Sequence, residues 1–144
     1  MSLEWRPAEV GDIEFARQLT CGNMLPYYLR HDLLWQDEAF DLAWVIRQNW
    51  IICRHEQTLG FVSLSRDARA LYIRELQIDK AFRRQGAGTW AIGQVWAMVA
   101  VEHRPALRLT VFKDNPAREL YERMGLRVVG EDECFFRMQR DAHA

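Results

Sequence analysis

The segment Arg83-Arg84-Gln85-Gly86-Ala87-Gly88-Thr89 carries the residue types best suited to holding an anion. Its glycines let the backbone approach a ligand closely, and a helix opening at Ala87 turns its first free N–H groups toward the same place. Arg83 and Arg84 add positive charge at that helix start, where the helix dipole alone favours negative charge. A bound anion such as a pyrophosphate resolves the conflict. A solvent-exposed basic turn eased by glycines is the other reading, and the loop by itself does not choose between them. The Walker pattern G-x-x-x-x-G-K-[ST] is absent. Gly86-x-Gly88-x-x-Ala91 matches the dinucleotide fingerprint, but that fingerprint sits directly after a strand, and here several charged residues separate Ile78 from Gly86.

The elements that must position this loop follow from periodicity. Residues 3–6 predict a short strand, and Asp12 is placed to cap a helix with Ile13, Ala16 and Leu19 near helical spacing. Cys21-Gly22-Asn23 should end that helix, and Pro26 should keep the following stretch from continuing it. Residues 37–48 read as a second helix, with Phe40, Ala43, Trp44 and Arg47 on one face. Strands are expected at 50–54 and 59–65 around a turn at 55–58, then at 70–78 after a turn at 66–68. A helix over 87–103 places Ile92, Val95, Trp96 and Val99 at i, i+3, i+4, i+7 amid further apolar residues, which predicts extensive burial before Pro105 stops it. A strand at 106–112, a helix at 116–124 and paired strands over 126–140, turning near 130–133, complete a mixed α/β (α+β) sheet with helices packed on it. Within 70–78 the apolar positions change parity between Ile73 and Leu76. A β-bulge at Arg74-Glu75 accounts for this, as does a strand buried on both faces with polar interruptions.

Composition bounds the answer. The 144 residues suit one domain over 1–144, with no repeat or linker. Hydrophobic residues at 49% and charged residues at 27% are ordinary for a globular chain, and a net charge of −1 gives no basic field for nucleic acid. No apolar run approaches the roughly 18–20 residues that span a bilayer. The start Met1-Ser2-Leu3-Glu4-Trp5-Arg6 lacks signal-peptide character. Cys21, Cys53 and Cys134 are odd in number and scattered, which argues against a disulfide framework or metal site and fits a reducing cytoplasm.

Arg83-x-x-Gly86-x-Gly88, preceded by Leu76-Gln77-Ile78-Asp79, resembles the acetyl-CoA signature of the GNAT superfamily of N-acetyltransferases, Q/R-x-x-G-x-G/A after a strand reading L-x-V. Downstream, the run from Asn115-Pro116-Ala117 through Leu120-Tyr121 to Gly125-Leu126 is similar to that family's N-x-x-A-x-x-L-Y-x-x-x-G-F. Order and spacing agree over residues 71–130; Leu126 stands where Phe is common, and Asp79 where a short apolar residue or Pro is usual nearby. The resemblance implies a single-domain GNAT-like fold, its mixed central sheet splayed at a cofactor wedge, with helices on both faces. It implies that the backbone of Arg84, Gln85, Gly86, Ala87, Gly88 and Thr89 cradles the pyrophosphate of coenzyme A beside Arg83. Leu76, Gln77 and Ile78 would pair with the pantetheine arm like an added strand. A bulge in that strand is likewise a family feature.

Transfer of an acetyl group from the thioester to an amine requires a neutral amine, a stabilised oxyanion and a protonated leaving thiolate. Tyr121, on the face Ala117, Leu120, Tyr121, Met124, is the candidate proton donor, because a phenol with pKa about 10 stays protonated at neutral pH. A core tyrosine is the alternative. Asn115 caps the helix before Pro116, touches the pantetheine, or does both. The family implies an oxyanion donor at the backbone N–H near Leu76. Glu75 is placed to take the amine proton through water; a salt bridge to a neighbouring arginine, or exposure, is the competing reading.

The first third, with Tyr27, Tyr28, His31, Asp32, Trp35, Asp37 and Glu38, should form the acceptor side. These residues suit a cationic amine, or the aromatics simply pack the helices. Lack of a tandem domain favours a small-molecule amine, and the aromatic content of 12% is compatible with a homodimer. The competing function is a noncatalytic acyl-CoA-binding or sensor module on the same fold. A nucleotide-binding oxidoreductase rests only on the weak fingerprint, and a structural interaction protein leaves the arginine-bearing glycine loop without a purpose.

Overall fold

The computed structural model describes residues 2–143; Met1 and Ala144, the ends of the expected domain, lie outside the described residues. The elements follow the expected order: β1 (Leu3–Pro7), α1 (Ile13–Arg30), α2 (Asp37–Ile46), β2 (Gln48–Arg54), β3 (Gln57–Arg66), β4 (Leu71–Ile78), α3 (Ala87–Val101), β5 (Ala106–Phe112), α4 (Ala117–Arg123), β6 (Arg127–Glu131) and β7 (Phe135–Asp141). Short 3-10 turns occupy Val10–Asp12 and Lys80–Phe82. The strands form a seven-stranded mixed sheet in the order β1-β2-β3-β4-β5-β7-β6. β4 and β5 run parallel, while β1–β2, β5–β7 and β6–β7 are antiparallel. Among the described residues no helix is long and apolar enough to cross a membrane. By proximity the chain falls into two compact units. One holds the chain up to Ser63 together with Glu75–Gly88; the other holds Leu64–Arg74 and the chain from Thr89 onward.

In the first unit, Ala16, Trp44, Ile51, Cys53 and Phe61 make a buried cluster, with Ile13, Leu19 and Phe40 packed against it. The rings of Trp44 and Phe61 meet edge-on at 5.6 Å, and Phe40 joins both, so the apolar stripes of α1 and α2 close over β2 and β3. Trp5 on β1 and Trp50 on β2 stack with centroids 4.8 Å apart. The β2–β3 turn is tighter than expected, only His55 and Glu56, with His55 left-handed at φ 56°.

Two expectations for this unit are corrected. α1 runs through Gly22 and Pro26 to Arg30 instead of ending at Cys21-Gly22-Asn23. Pro26 removes one hydrogen bond to the carbonyl of Gly22, but Asn23, one turn earlier, is fastened to β4 and to Arg83, and Tyr28 beyond it packs edge-on against Trp35. Tertiary bonding outweighs the local breaker. Asp12 does stand at the N-cap position, yet its carboxylate makes no cap bond there. It takes the Arg6 guanidinium at 2.8 and 3.0 Å and the Glu9 N–H at 2.7 Å.

In the second unit, Ala91, Ile92, Val95 and Val99 form the buried stripe of α3, alongside the buried Leu107, Leu109 and Val111 of β5 and Met138 of β7. The burial of α3 is one-sided rather than extensive. Trp96 is half-buried beneath the Arg140 guanidinium (3.8 Å), and Val101 is 78% exposed. β7 lies between β5 and β6, pairing along its whole length with β5 from Phe135↔Phe112 to Asp141↔Ala106. The ladder of β6 on β7 is irregular between Val128 and Gly130. Glu102 joins Arg66 (2.7 Å) and Arg104 (3.1 Å), and these hydrogen bonds hold its pKa below the ordinary value.

Candidate functional site

The glycine loop is built from the end of β4. The Asp79 N–H donates to the Leu59 carbonyl (2.8 Å), and its Oδ1 accepts from the Ala81 N–H (3.0 Å), capping the turn Lys80–Phe82. That cap explains an aspartate at this position. Beyond extended Arg83, Arg84 takes φ 64° and Gly86 φ 84°. A left-handed arginine costs about 1–2 kcal/mol, so this backbone is held against local preference. A Cβ on Gly86 would meet nothing within 4 Å, so the space over it is open. Arg84, Gln85 and Gly86 are exposed, whereas Ala87 is buried and Gly88 half-buried at the start of α3. The first N–H groups of α3 have no acceptor within the helix. Gln85 is tied back by the Arg54 guanidinium, which donates to its Oε1 at 2.8 Å. Arg83 does not stand free for phosphate: its Nη2 donates to Asn23 Oδ1 at 2.9 Å.

β4 presents Leu76, Gln77 and Ile78 differently from one another. A Cβ on Gly60 of β3 would overlap the Gln77 carbonyl oxygen, so the Gln77 backbone faces β3. By strand alternation the N–H and C=O of Leu76 and Ile78 point away from β3, the edge on which an added strand could pair. The Ile78 carbonyl there accepts from Asn23 Nδ2 at 3.2 Å. The Gln77 side chain is 7% exposed: Nε2 donates to Glu75 Oε1 at 3.0 Å, and Oε1 accepts from Asn23 Nδ2 at 3.2 Å.

Glu75 is half-buried, and the adjacent Arg74 donates to Ser65 Oγ at 2.7 Å. Burial pushes the Glu75 pKa above the ordinary value, opposed by the Gln77 N–H and by the charge of Arg47. The Tyr28 phenol is raised as well, by burial first and then by the charge of Glu75. Buried positions in β4 stay odd through Leu71, Ile73 and Gln77. Between Ile73 and Gln77, Arg74 is exposed and Glu75 and Leu76 are both half-buried. Pairing with β5 is registered over Leu71–Ile73.

In the second unit Thr89 is exposed in the first turn of α3. Asn115 Oδ1 accepts the Ala117 N–H at 2.9 Å, so it caps α4 although Pro116, not Asn115, is the N-cap residue. Tyr121 is buried on α4, and its carbonyl accepts from Met124 and Leu126 as the helix closes at left-handed Gly125. On the expected acceptor side the aromatics pack. The Trp35 ring lies against Tyr28 (5.4 Å) and Phe40 (5.9 Å), its indole N–H donates to Asp37 (2.7 Å), and Arg30 covers Tyr27. Asn23, which joins α1, β4 and the loop, carries no signal in the sequence. Gly60 does carry one, since a glycine inside a strand often marks close backbone approach.

A family model described as an acetyltransferase (GNAT) domain matches residues 44–139. No curated protein matches the chain. Among solved structures, the chain is similar to the PaiA N-acetyltransferase of Thermoplasma acidophilum in complex with coenzyme A (15% identity, 98% of this chain and 99% of that one, TM-score 0.77). It is also similar to a GNAT family acetyltransferase of Elizabethkingia anophelis with acetyl-CoA bound (14%, 96% and 97%, TM-score 0.76). A third is a GNAT family acetyltransferase of Staphylococcus aureus (16%, 97% and 99%, TM-score 0.76). The fold is that of this group.

Proposed function

The chain belongs to the GNAT acetyltransferase family, and on that premise we propose that it moves an acetyl group from acetyl-CoA to a primary amine of a small-molecule acceptor by direct attack on the thioester. The observation that carries this reading is the loop 84–88: two left-handed residues, open space over Gly86 and the start of α3, whose first N–H groups find no acceptor within the helix. Two similar structures hold coenzyme A or acetyl-CoA, which supports a pyrophosphate as the anion. Acetyl-CoA, when bound, supplies the activated acyl group.

The chain's own residues divide the remaining work. Backbone N–H groups of Arg84 to Thr89 hold phosphate oxygens, and the outward edge of Leu76 and Ile78 orients the pantetheine arm. The N–H near Leu76 is assigned to the oxyanion. Glu75, whose burial raises its proton affinity, takes a proton from the incoming amine through water. Tyr121 carries the proton for the leaving sulfur on its hydroxyl. The packing of Tyr28 and Trp35 among the helices leaves Glu75 as the more direct attraction for a cationic acceptor.

Isothermal titration with acetyl-CoA tests the donor site, followed by thiol release with polyamines and amino acids. Micromolar binding and acceptor-dependent thiol release are expected. No binding at millimolar acetyl-CoA refutes the proposal, and binding without thiol release from any amine favours the noncatalytic module.

A further inference from the structure

The hydrogen-bonded chain Arg83–Asn23–Gln77–Glu75 lies within the first unit and has a direction, which is set at Asn23. A guanidinium offers donors only. Facing Arg83 Nη2 at 2.9 Å, Asn23 must present Oδ1, which leaves Nδ2 to point toward β4. There Nδ2 reaches the Ile78 carbonyl and Gln77 Oε1, both at 3.2 Å. Gln77, having met an N–H with its oxygen, has only Nε2 left for Glu75, and donates it at 3.0 Å. Reversing either amide would set donor against donor. The two amides are thus locked in one orientation by Arg83 on one side of Asn23 and by the acceptor-only Ile78 carbonyl on the other.

We propose that Asn23 is a positioning residue: held between the donor-only Arg83 and the acceptor-only Ile78 carbonyl, it turns Gln77 so that Glu75 is always met by a hydrogen-bond donor. This rests on the reading of Glu75 as the base, and it deepens that reading. A donor at the carboxylate favours the ionised form, the form able to take a proton, and works against the desolvation of the site. The other groups that bear on Glu75 are Arg47, following α2, which also favours ionisation, and the Tyr28 phenol on α1. Neither sets the orientation of Gln77. The loop arginine therefore has a task beyond phosphate charge: with the Ile78 carbonyl it fixes the polarity of a half-buried relay that ends at the proposed base.

The test reads Glu75 directly and needs no acceptor. The full chain, with glutamate carboxyls labelled with carbon-13, is titrated by NMR, and Glu75 is assigned from the signal lost in Glu75→Gln. In Asn23→Asp the new carboxylate accepts from both Arg83 and Gln77, so Gln77 must turn its oxygen toward Glu75. The Glu75 midpoint should then rise by at least about one pH unit, a tenfold change in proton affinity. The rise should persist in about 1 M salt, where exposed charges are screened beyond about 3 Å, because loss of a donor is not screened. Arg83→Lys keeps a donor-only cation and should leave the midpoint in place. Should Asn23→Asp fail to fold, Gln77→Leu removes the donor that Asn23 orients and should raise the midpoint in the same direction. An unchanged midpoint in the folded variant, or a rise that 1 M salt abolishes, overturns the proposal. Wild-type thiol release by Glu75→Gln, with spermidine as the probe amine, overturns instead the assignment of Glu75 as base, whatever the titration shows.

Discussion

At Gly86 a new side chain meets no atom within 4 Å, so the effect of a substitution divides cleanly into backbone strain and charge. The φ of 84° is left-handed, and any L-residue there should lose about 1–2 kcal/mol of stability. Alanine, glutamine and glutamate share that cost. Only glutamate adds charge. A carboxylate about 4 Å from a phosphate is repelled by about 1 kcal/mol at the dielectric of water and by about 4 kcal/mol at an effective dielectric of about 20. Coenzyme A affinity should therefore fall roughly 5-fold to nearly a thousandfold from Gly86→Gln to Gly86→Glu. Titration calorimetry with coenzyme A, beside urea unfolding followed by circular dichroism, separates the two effects. All three variants should unfold at similar urea concentrations, with the glutamate variant alone binding poorly because of charge, and less poorly as salt is raised. Equal affinity in Gly86→Gln and Gly86→Glu would refute the assignment of this loop to phosphate.

Three further outcomes follow. Tyr121→Phe should lower turnover by about 100-fold or more while leaving acetyl-CoA affinity within about twofold, as measured by steady-state kinetics and calorimetry; a fully active variant demotes the phenol to packing. Gly60→Ala should cost about 1–3 kcal/mol in urea unfolding, because the added methyl overlaps the Gln77 carbonyl oxygen and lies 3.0 Å from Ile78 Cα, backbone that cannot swing aside; an unmoved midpoint contradicts the close approach. Glu75 has a raised folded-state pKa, so its contribution to stability is full below the unfolded value and is lost as pH climbs through the folded one. Melting curves of Glu75→Gln should therefore lie above wild type at neutral pH and converge with it in acid; curves that stay parallel across that range rule out the desolvated carboxylate.

The turn that opens α3 was legible because its demand is local: a left-handed step favours glycine, and Gly86 stands in sequence where the backbone takes it. The order of elements was legible for a similar reason, since each helix and strand carries its own period. What escaped depended on partners far away in sequence. α1 continues through Pro26 because Asn23 finds Ile78 and Arg83, 55 and 60 residues on. Glu75 and Gln77 looked like interruptions of an apolar face, but Gln77 is buried and Glu75 half-buried, the two bonded to one another and Gln77 to Asn23. The insertion of β7 between β5 and β6 is likewise a matter of tertiary pairing that no period records.

The stacked pair Trp5 and Trp50 provides an optical handle on one end of the sheet. Two indoles held face to face at 4.8 Å couple their excited states, and the resulting circular dichroism couplet vanishes once β1 peels from β2. Detachment of the first strand can thus be timed separately from global unfolding, using only the light the protein already absorbs.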